Sequence, residues 1–187
     1  ISKDRKYLDE EQSRDIVNIL RNSLAKVSNI KESQRSGKPP KPFKTTSLQT
    51  SSKNNLGFQP RKTMSIAQRL YQEGLITYMR TDSIRLSDVA IKASREYISS
   101  NFSSEHLPSE PNYYGDSKNA QAAHEAIRPS GESFTTPQEL LKKYKEDSDE
   151  FKLYELIFNV TIASQMSEAR GITKTIDLEV INNIFGS

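Results

Sequence analysis

The chain contains no cysteine, which excludes disulfides, thiolate metal sites and cysteine nucleophiles together. Its two histidines, His106 and His124, are too few for a histidine-rich metal cage, and His106, in a polar loop, reads as structural. No apolar run is long enough to cross a bilayer and no signal-peptide pattern is present, so nothing marks the chain for insertion or export. Hydrophobic residues make up 34%, a low share for 187 residues that could form one domain or two small ones. Such a chain is either extensively solvated or incomplete, and its start at Ile1 rather than Met reads as a piece of a longer polypeptide. Acids are also scarce locally. From Lys31 to Leu70 nine basic residues stand against Glu32 alone, although the whole chain carries only +3. Charge by itself leaves that stretch open as a phosphate-facing surface or a solvated linker.

Leu8 to Leu24 has helical spacing in Ile16, Val17, Leu20 and Leu24, and Lys26 to Arg35 alternates weakly, as a strand could. SGKPPKPF, residues 36–43, cannot continue a helix, because its prolines remove donors and force extended geometry. Ile66, Ala67, Leu70 and Tyr71 predict a short helix over 63–73 that ends at Gly74. Ser87 is an N-cap for a helix with Val89, Ala90, Ala93 and Tyr97 on one face, and 101–117 reads as a surface loop. Thr136, Pro137 and Glu139 form a capping-box start. A longer helix over about 149–166 stacks Phe151, Tyr154, Phe158 and Ile162. Thr175 to Val180 alternates strictly, a strand that wants neighbours.

Two clusters could carry chemistry. In GLITYMRTDS, residues 74–83, Tyr78 lies on an extended segment past a helix end, and Arg80 at i+2 projects to the same face. A phenol, with an ordinary pKa of about 10, is a poor nucleophile at neutral pH until something stabilises its phenolate. Arg80 could do that while holding phosphate oxygens; equally, Tyr78 could pack and Arg80 be a surface ion. In AHEAIRP, residues 123–129, His124 and Arg128 would share one face of a helix beside Glu125. An imidazole, a carboxylate and a guanidinium so close suit phosphodiester recognition and proton handling. Two other patterns fail. Asp147-x-Asp149 begins like an acidic magnesium motif, but Phe151 occupies the third position and helix starts attract acids anyway. A tyrosine recombinase needs His-x-x-Arg before its tyrosine; here the spacing is one residue longer and Tyr78 comes first.

Taken together, the motifs resemble a type IA DNA topoisomerase, most closely the bacterial topoisomerase I branch. The resemblance runs from PPKPFKTTSLQ (39–49) through LGFQPRKTMSIAQRLYQEGLITYMRTDS (56–83), NAQAAHEAIRPS (119–130) and LYELIFNVTIASQM (153–166). Met79 and Glu125 separate it from the topoisomerase III branch, whereas reverse gyrase shares much of the region. It implies an isomerase in which Tyr78 attacks a backbone phosphorus and forms a 5′-phosphotyrosyl link, so that strand passage and religation need no ATP. Arg80 would stabilise the phenolate or the pentavalent phosphate, and Asp82 would orient His124. Glu125 and Arg128 would support that shell, and Lys53, Arg61, Lys62 and Arg69 would face DNA. The family's Mg2+ is held by acids of a Toprim domain, and no such motif occurs here, so no metal ligand is expected within this chain.

The fold implied is mainly α with a small β part. A helical, winged-helix-like tyrosine domain over 45–169 would be entered through 1–44 and left through 170–187, both pieces of the base of the topoisomerase arch. The expected partners are single-stranded and negatively supercoiled DNA and the remainder of the same polypeptide, without a membrane, in the cytoplasm at the nucleoid. Alone, such a piece would not turn over. The rivals are a winged-helix module that binds phosphates without chemistry, an architectural arch segment, and a reverse gyrase segment.

Overall fold

The computed structural model describes residues 8–21, 23–115 and 124–181. It divides into two units: residues 1–36 with 170–187, and residues 37–169.

In the first unit, helix α1 (Glu10–Arg21) opens on a reciprocal cap. The Gln12 N–H donates to Asp9 Oδ1 at 2.8 Å and the Asp9 N–H to Gln12 Oε1 at 3.3 Å. The weak alternation after it becomes a long strand, β1 (Leu24–Gly37), paired with β2 (Ala169–Ile181) in a two-stranded sheet. Asn29 meets Asp177 and Glu32 meets Lys174, so the strands run antiparallel with Ile30 beside Ile176. The pleat puts Ile172, Ile176, Leu178 and Val180 on one face. All four are exposed, and no residue of α1 is buried.

The second unit is helical. Helix α2 (Thr45–Leu56) has no apolar stripe; of its residues only Leu48 and Ser52 are buried, which is why its polar sequence gave no helical period. Gly57, at φ 70°, ends it in the left-handed conformation that glycine adopts without strain. Helix α3 (Pro60–Gln72) starts earlier than its apolar pattern, with Pro60 in the first turn, and buries Thr63, Ile66, Ala67 and Leu70. Tyr71, expected on that buried face, is instead 40% exposed. Ser87 caps α4 (Asp88–Asn101), whose inward face is Ala90, Ile91, Ala93, Ser94 and Ile98; Val89 points to solvent. In the loop that follows, Ser103 Oγ lies 2.7 Å from His106 Nδ1, which gives His106 a local structural partner.

The capping box at Thr136 forms as expected but starts only the short α5 (Pro137–Leu140). Ser148 caps α6 (Asp149–Ser164), which packs against α2, α3, α4 and α5. Because neighbours surround it, α6 is apolar around most of its circumference. Phe158 lies 5.0 Å from Tyr97, edge to face, and Tyr154 satisfies its buried hydroxyl by donating to the Thr135 carbonyl at 2.6 Å. Phe43 packs into this same core, so the chain joins the second unit before α2 begins.

Candidate active site

The segment between α3 and α4 is positioned by polar contacts to its backbone. Gly74, at φ 72°, reverses the chain: its N–H donates to the Tyr71 carbonyl and that of Leu75 to the Leu70 carbonyl, both at 2.9 Å. From Tyr78 to Asp82 the side chains alternate. Ile76, Met79 and Thr81 point into the protein, while Tyr78, Arg80 and Asp82 are exposed. Tyr78 and Arg80 therefore share a face, as their spacing predicts.

Two threonines hold this segment from opposite sides. Thr45, the first residue of α2, accepts the Thr81 N–H on Oγ1 at 2.9 Å and places that hydroxyl 2.8 Å from the Met79 carbonyl and 3.0 Å from that of Thr81. The Thr45 N–H also donates to the Thr81 carbonyl at 2.9 Å. The backbone around Arg80 is thus bracketed by one residue. On the other side Thr77 donates through Oγ1 to the Ala126 carbonyl at 2.8 Å and accepts the Arg128 N–H at 3.0 Å.

That second contact brings in the histidine segment, with a different backbone from the one expected. Residues 124–130 are extended, not helical: Ile127 bridges Phe43 and Pro129 bridges Ile76, both antiparallel. Pairing with two other chain segments, with Pro129 at the end, outweighs the helical spacing, so His124 and Arg128 share no helical face. His124 is exposed and Arg128 is buried. Ala123, the first residue of the motif, and residues 119–122 lie outside the described residues.

Glu125 and Arg128 turn inward as a latch. Arg128 NH2 donates to Glu125 Oε2 at 2.7 Å, and its NH1 donates to the Pro129 carbonyl at 2.7 Å. Glu125 Oε1 accepts the Ser87 N–H at 2.8 Å, which ties the segment to the N-terminus of α4. Burial alone would raise the Glu125 pKa, but the hydrogen bonds from Ser87 and Arg128, with the Arg128 charge, hold it below the ordinary carboxylate value. The pair therefore anchors backbone instead of facing solvent beside Tyr78.

The side chains of Tyr78, Arg80, Asp82 and His124 make no hydrogen bond or ion pair within the described residues; the expected Asp82–His124 contact is not formed. The ring of Tyr78 does have a neighbour, the edge-on ring of Tyr71 with centroids 5.2 Å apart. Thr45, Thr77 and Tyr71 were missed in the sequence. Each sits inside a stretch that carries the resemblance, yet backbone clamping and a ring contact leave no charge pattern to read.

Of the four basic residues expected to face DNA, Arg61, Lys62 and Arg69 line one groove of about 460 Å3 with Gln59, Ser65, Ile66 and Asp149. Lys62 is paired with Asp149 at 2.8 Å and stands over the Phe58 ring, and Arg69 is paired with Glu150 at 2.7 Å. Lys53 and Arg61 have no ion pair among the described residues. Among the described residues no cluster of three His, Cys, Asp or Glu side chains could hold a metal ion.

A family model for DNA topoisomerase matches residues 1–187. The chain belongs to the bacterial type IA DNA topoisomerases. It is 44% identical over 173 residues to DNA topoisomerase 1 of Streptomyces coelicolor, covering 92% of this chain and 18% of that protein. Against DNA topoisomerase 1 of Campylobacter jejuni it is 43% identical over 177 residues, covering 90% of this chain and 25% of that protein. The fold is similar to full-length topoisomerase I from Thermotoga maritima, with TM-score 0.70 and 37% identity over 95% of this chain and 29% of that one. The chain thus spans about a fifth to a quarter of these curated relatives. GLITYMRTDS coincides with the exposed, clamped segment, and HEAIRP, residues 124–129, with the extended segment bonded to it. Among the described residues no helix is long and apolar enough to cross a membrane.

Proposed function

We propose that this chain is the nucleophile-bearing part of a type IA topoisomerase that relaxes negatively supercoiled DNA, with Tyr78 as the attacking residue. The observation that supports the reading is the alternation over 78–82, which presents Tyr78, Arg80 and Asp82 on one solvent face of a backbone fixed by Thr45 and Thr77. A nucleophile needs access to the phosphate, and its backbone must not drift; this segment offers both.

In the proposed step the Tyr78 oxygen bonds to a backbone phosphorus and the bond from phosphorus to the 3′ oxygen breaks. The phenol gives up its proton, the released 3′ oxygen takes one up, and the protein holds the 5′ phosphate as a tyrosyl ester. Resealing is the reverse attack by the 3′ hydroxyl, so the two phosphoester bonds exchange without ATP. Arg80, without a hydrogen bond or ion pair among the described residues and on the same face, is available to neutralise charge on the phosphorane oxygens. Asp82 and His124 remain candidates for proton handling once DNA is bound, whereas Glu125 and Arg128 act through the backbone of the histidine segment. Magnesium, with the Toprim acids that would bind it, belongs to the remainder of the enzyme, and the chain alone should be inactive. A cytoplasmic, nucleoid-associated location follows from DNA as substrate.

The test is covalent trapping. A single-stranded oligonucleotide is incubated with this chain, a Toprim-containing remainder of a bacterial topoisomerase I and magnesium, then denatured. A covalent adduct is expected with the parent chain and none with Tyr78→Phe or without the remainder. An equal adduct with Tyr78→Phe would remove the nucleophile assignment. No adduct, together with salt-steep binding to duplex DNA, would make this a binding module acting through the groove of Arg61, Lys62 and Arg69.

A further inference from the structure

We propose that Tyr71 is a positioning residue for the Tyr78 nucleophile, setting its ring orientation through the edge contact between them. The proposal rests on Tyr78 being the nucleophile. The Tyr78 hydroxyl makes no hydrogen bond among the described residues, so none of them selects its side-chain rotamer through a polar contact. An exposed tyrosine on an extended segment can occupy more than one staggered well, and the wells aim the oxygen differently relative to a phosphate bound beside Arg80. The ring that meets it is Tyr71, at 5.2 Å and an interplanar angle of 64°, within the range that aromatic pairs prefer.

Tyr71 is suited to act as a fixed reference. It lies in the last turn of α3, next to the fully buried Leu70, and its carbonyl accepts the Gly74 N–H. Two residues on, Glu73 accepts the Tyr144 hydroxyl at 2.7 and 2.6 Å and pairs with Lys143 at 2.8 Å, which pins the same turn to the region after α5. The reversal at Gly74 then brings Tyr78 back over the helix end that carries Tyr71. Tyr71 is 40% exposed and Tyr78 46%, so the pair is open to solvent and its geometry is not a by-product of core packing.

The experiment compares Tyr71→Leu and Tyr71→Phe in this chain. Tyrosine ring signals of Tyr78, followed by NMR with ring-labelled tyrosine, should move in Tyr71→Leu, because the neighbouring ring current is lost, and stay close to the parent in Tyr71→Phe. In the trapping assay at saturating oligonucleotide, Tyr71→Leu should slow adduct formation about tenfold, since a misaimed nucleophile lowers the rate at a fixed bound population. Its oligonucleotide affinity should be unchanged, and Tyr71→Phe should restore the rate. Unmoved Tyr78 signals, an unchanged rate in Tyr71→Leu, or a loss that appears as weaker binding would each overturn the positioning role. A parent chain that forms no adduct removes the nucleophile reading itself, and the positioning role with it.

Discussion

Residues 37–169 and the ribbon of β1 and β2 use apolar side chains in opposite ways. Among the described residues of the first, seventeen large and small apolar residues from Phe43 to Ile162 form one buried cluster. In the second, Leu24, Val27, Ile30, Ile172, Ile176, Leu178 and Val180 are all exposed, although Thr175 to Val180 of β2 alternates strictly. Regular alternation states which face is apolar; it does not supply what covers that face. The helical unit carries its own core, and so it can hold the Tyr78 segment on a fixed frame.

The largest expected effect tests that core directly. Phe158 is buried at the centre of α6 and touches the rings of Tyr97, Phe134 and Tyr154. Phe158→Ala should destabilise the chain by about 3–5 kcal/mol, combining lost apolar transfer with the cavity left behind. A urea titration followed by tyrosine fluorescence should show the midpoint drop, and a change under about 1 kcal/mol would mean the cluster is not the chain's main support.

A smaller effect separates the latch from the chemistry beside it. Glu125→Gln removes the charge that faces Arg128 and should cost about 1–3 kcal/mol near neutral pH, with Glu125 only partly screened from solvent. The pH dependence has a definite sign. The Glu125 pKa is lowered in the folded protein, so its contribution is complete above the unfolded carboxylate value of about 4.3 and is lost as pH falls through the lower folded one. The difference in melting temperature between the parent and Glu125→Gln should therefore narrow below about pH 4 and be constant above about pH 6. A difference that widens with acid would contradict the latch.

How much of this could be read beforehand depends on where the signal resides. Ser87, Thr136 and the stripe of Phe151, Tyr154, Phe158 and Ile162 were legible because caps and helical periods are local. The mainly helical class with a small sheet came from the family resemblance and agrees with the helices and the two-stranded sheet observed. Helix α2 was not, since TTSLQTSSKNNL has almost no apolar period and folds through Leu48 and the neighbours of α3 and α6. The alternation that exposes Tyr78 and Arg80 was visible in GLITYMRTDS, but the spacing in AHEAIRP suggested a helix because pairing with Phe43 and Ile76 is non-local. Thr45 is the clearest case: it sits far from Thr81 in sequence, and only the folded chain brings its hydroxyl to that backbone.

The smallest effect bears on the ribbon. Ile176 lies beside Ile30 across the two strands, and both are exposed. A cross-strand apolar pair of this kind contributes about 0.2–1 kcal/mol, and an exposed position adds little burial to lose. Ile176→Ser should therefore leave the urea midpoint of the helical unit nearly unchanged, in contrast to Phe158→Ala. Hydrogen exchange should register the change only in the amides of β1 and β2, as local opening of a two-stranded sheet. If Ile176→Ser instead lowered the midpoint as much as Phe158→Ala, the apolar face of β2 would have to be covered in solution. The contrast between a unit that carries its own core and a ribbon that does not would then fail. An unchanged midpoint with faster exchange confined to the ribbon would show that stability of the tyrosine-bearing unit does not depend on that face.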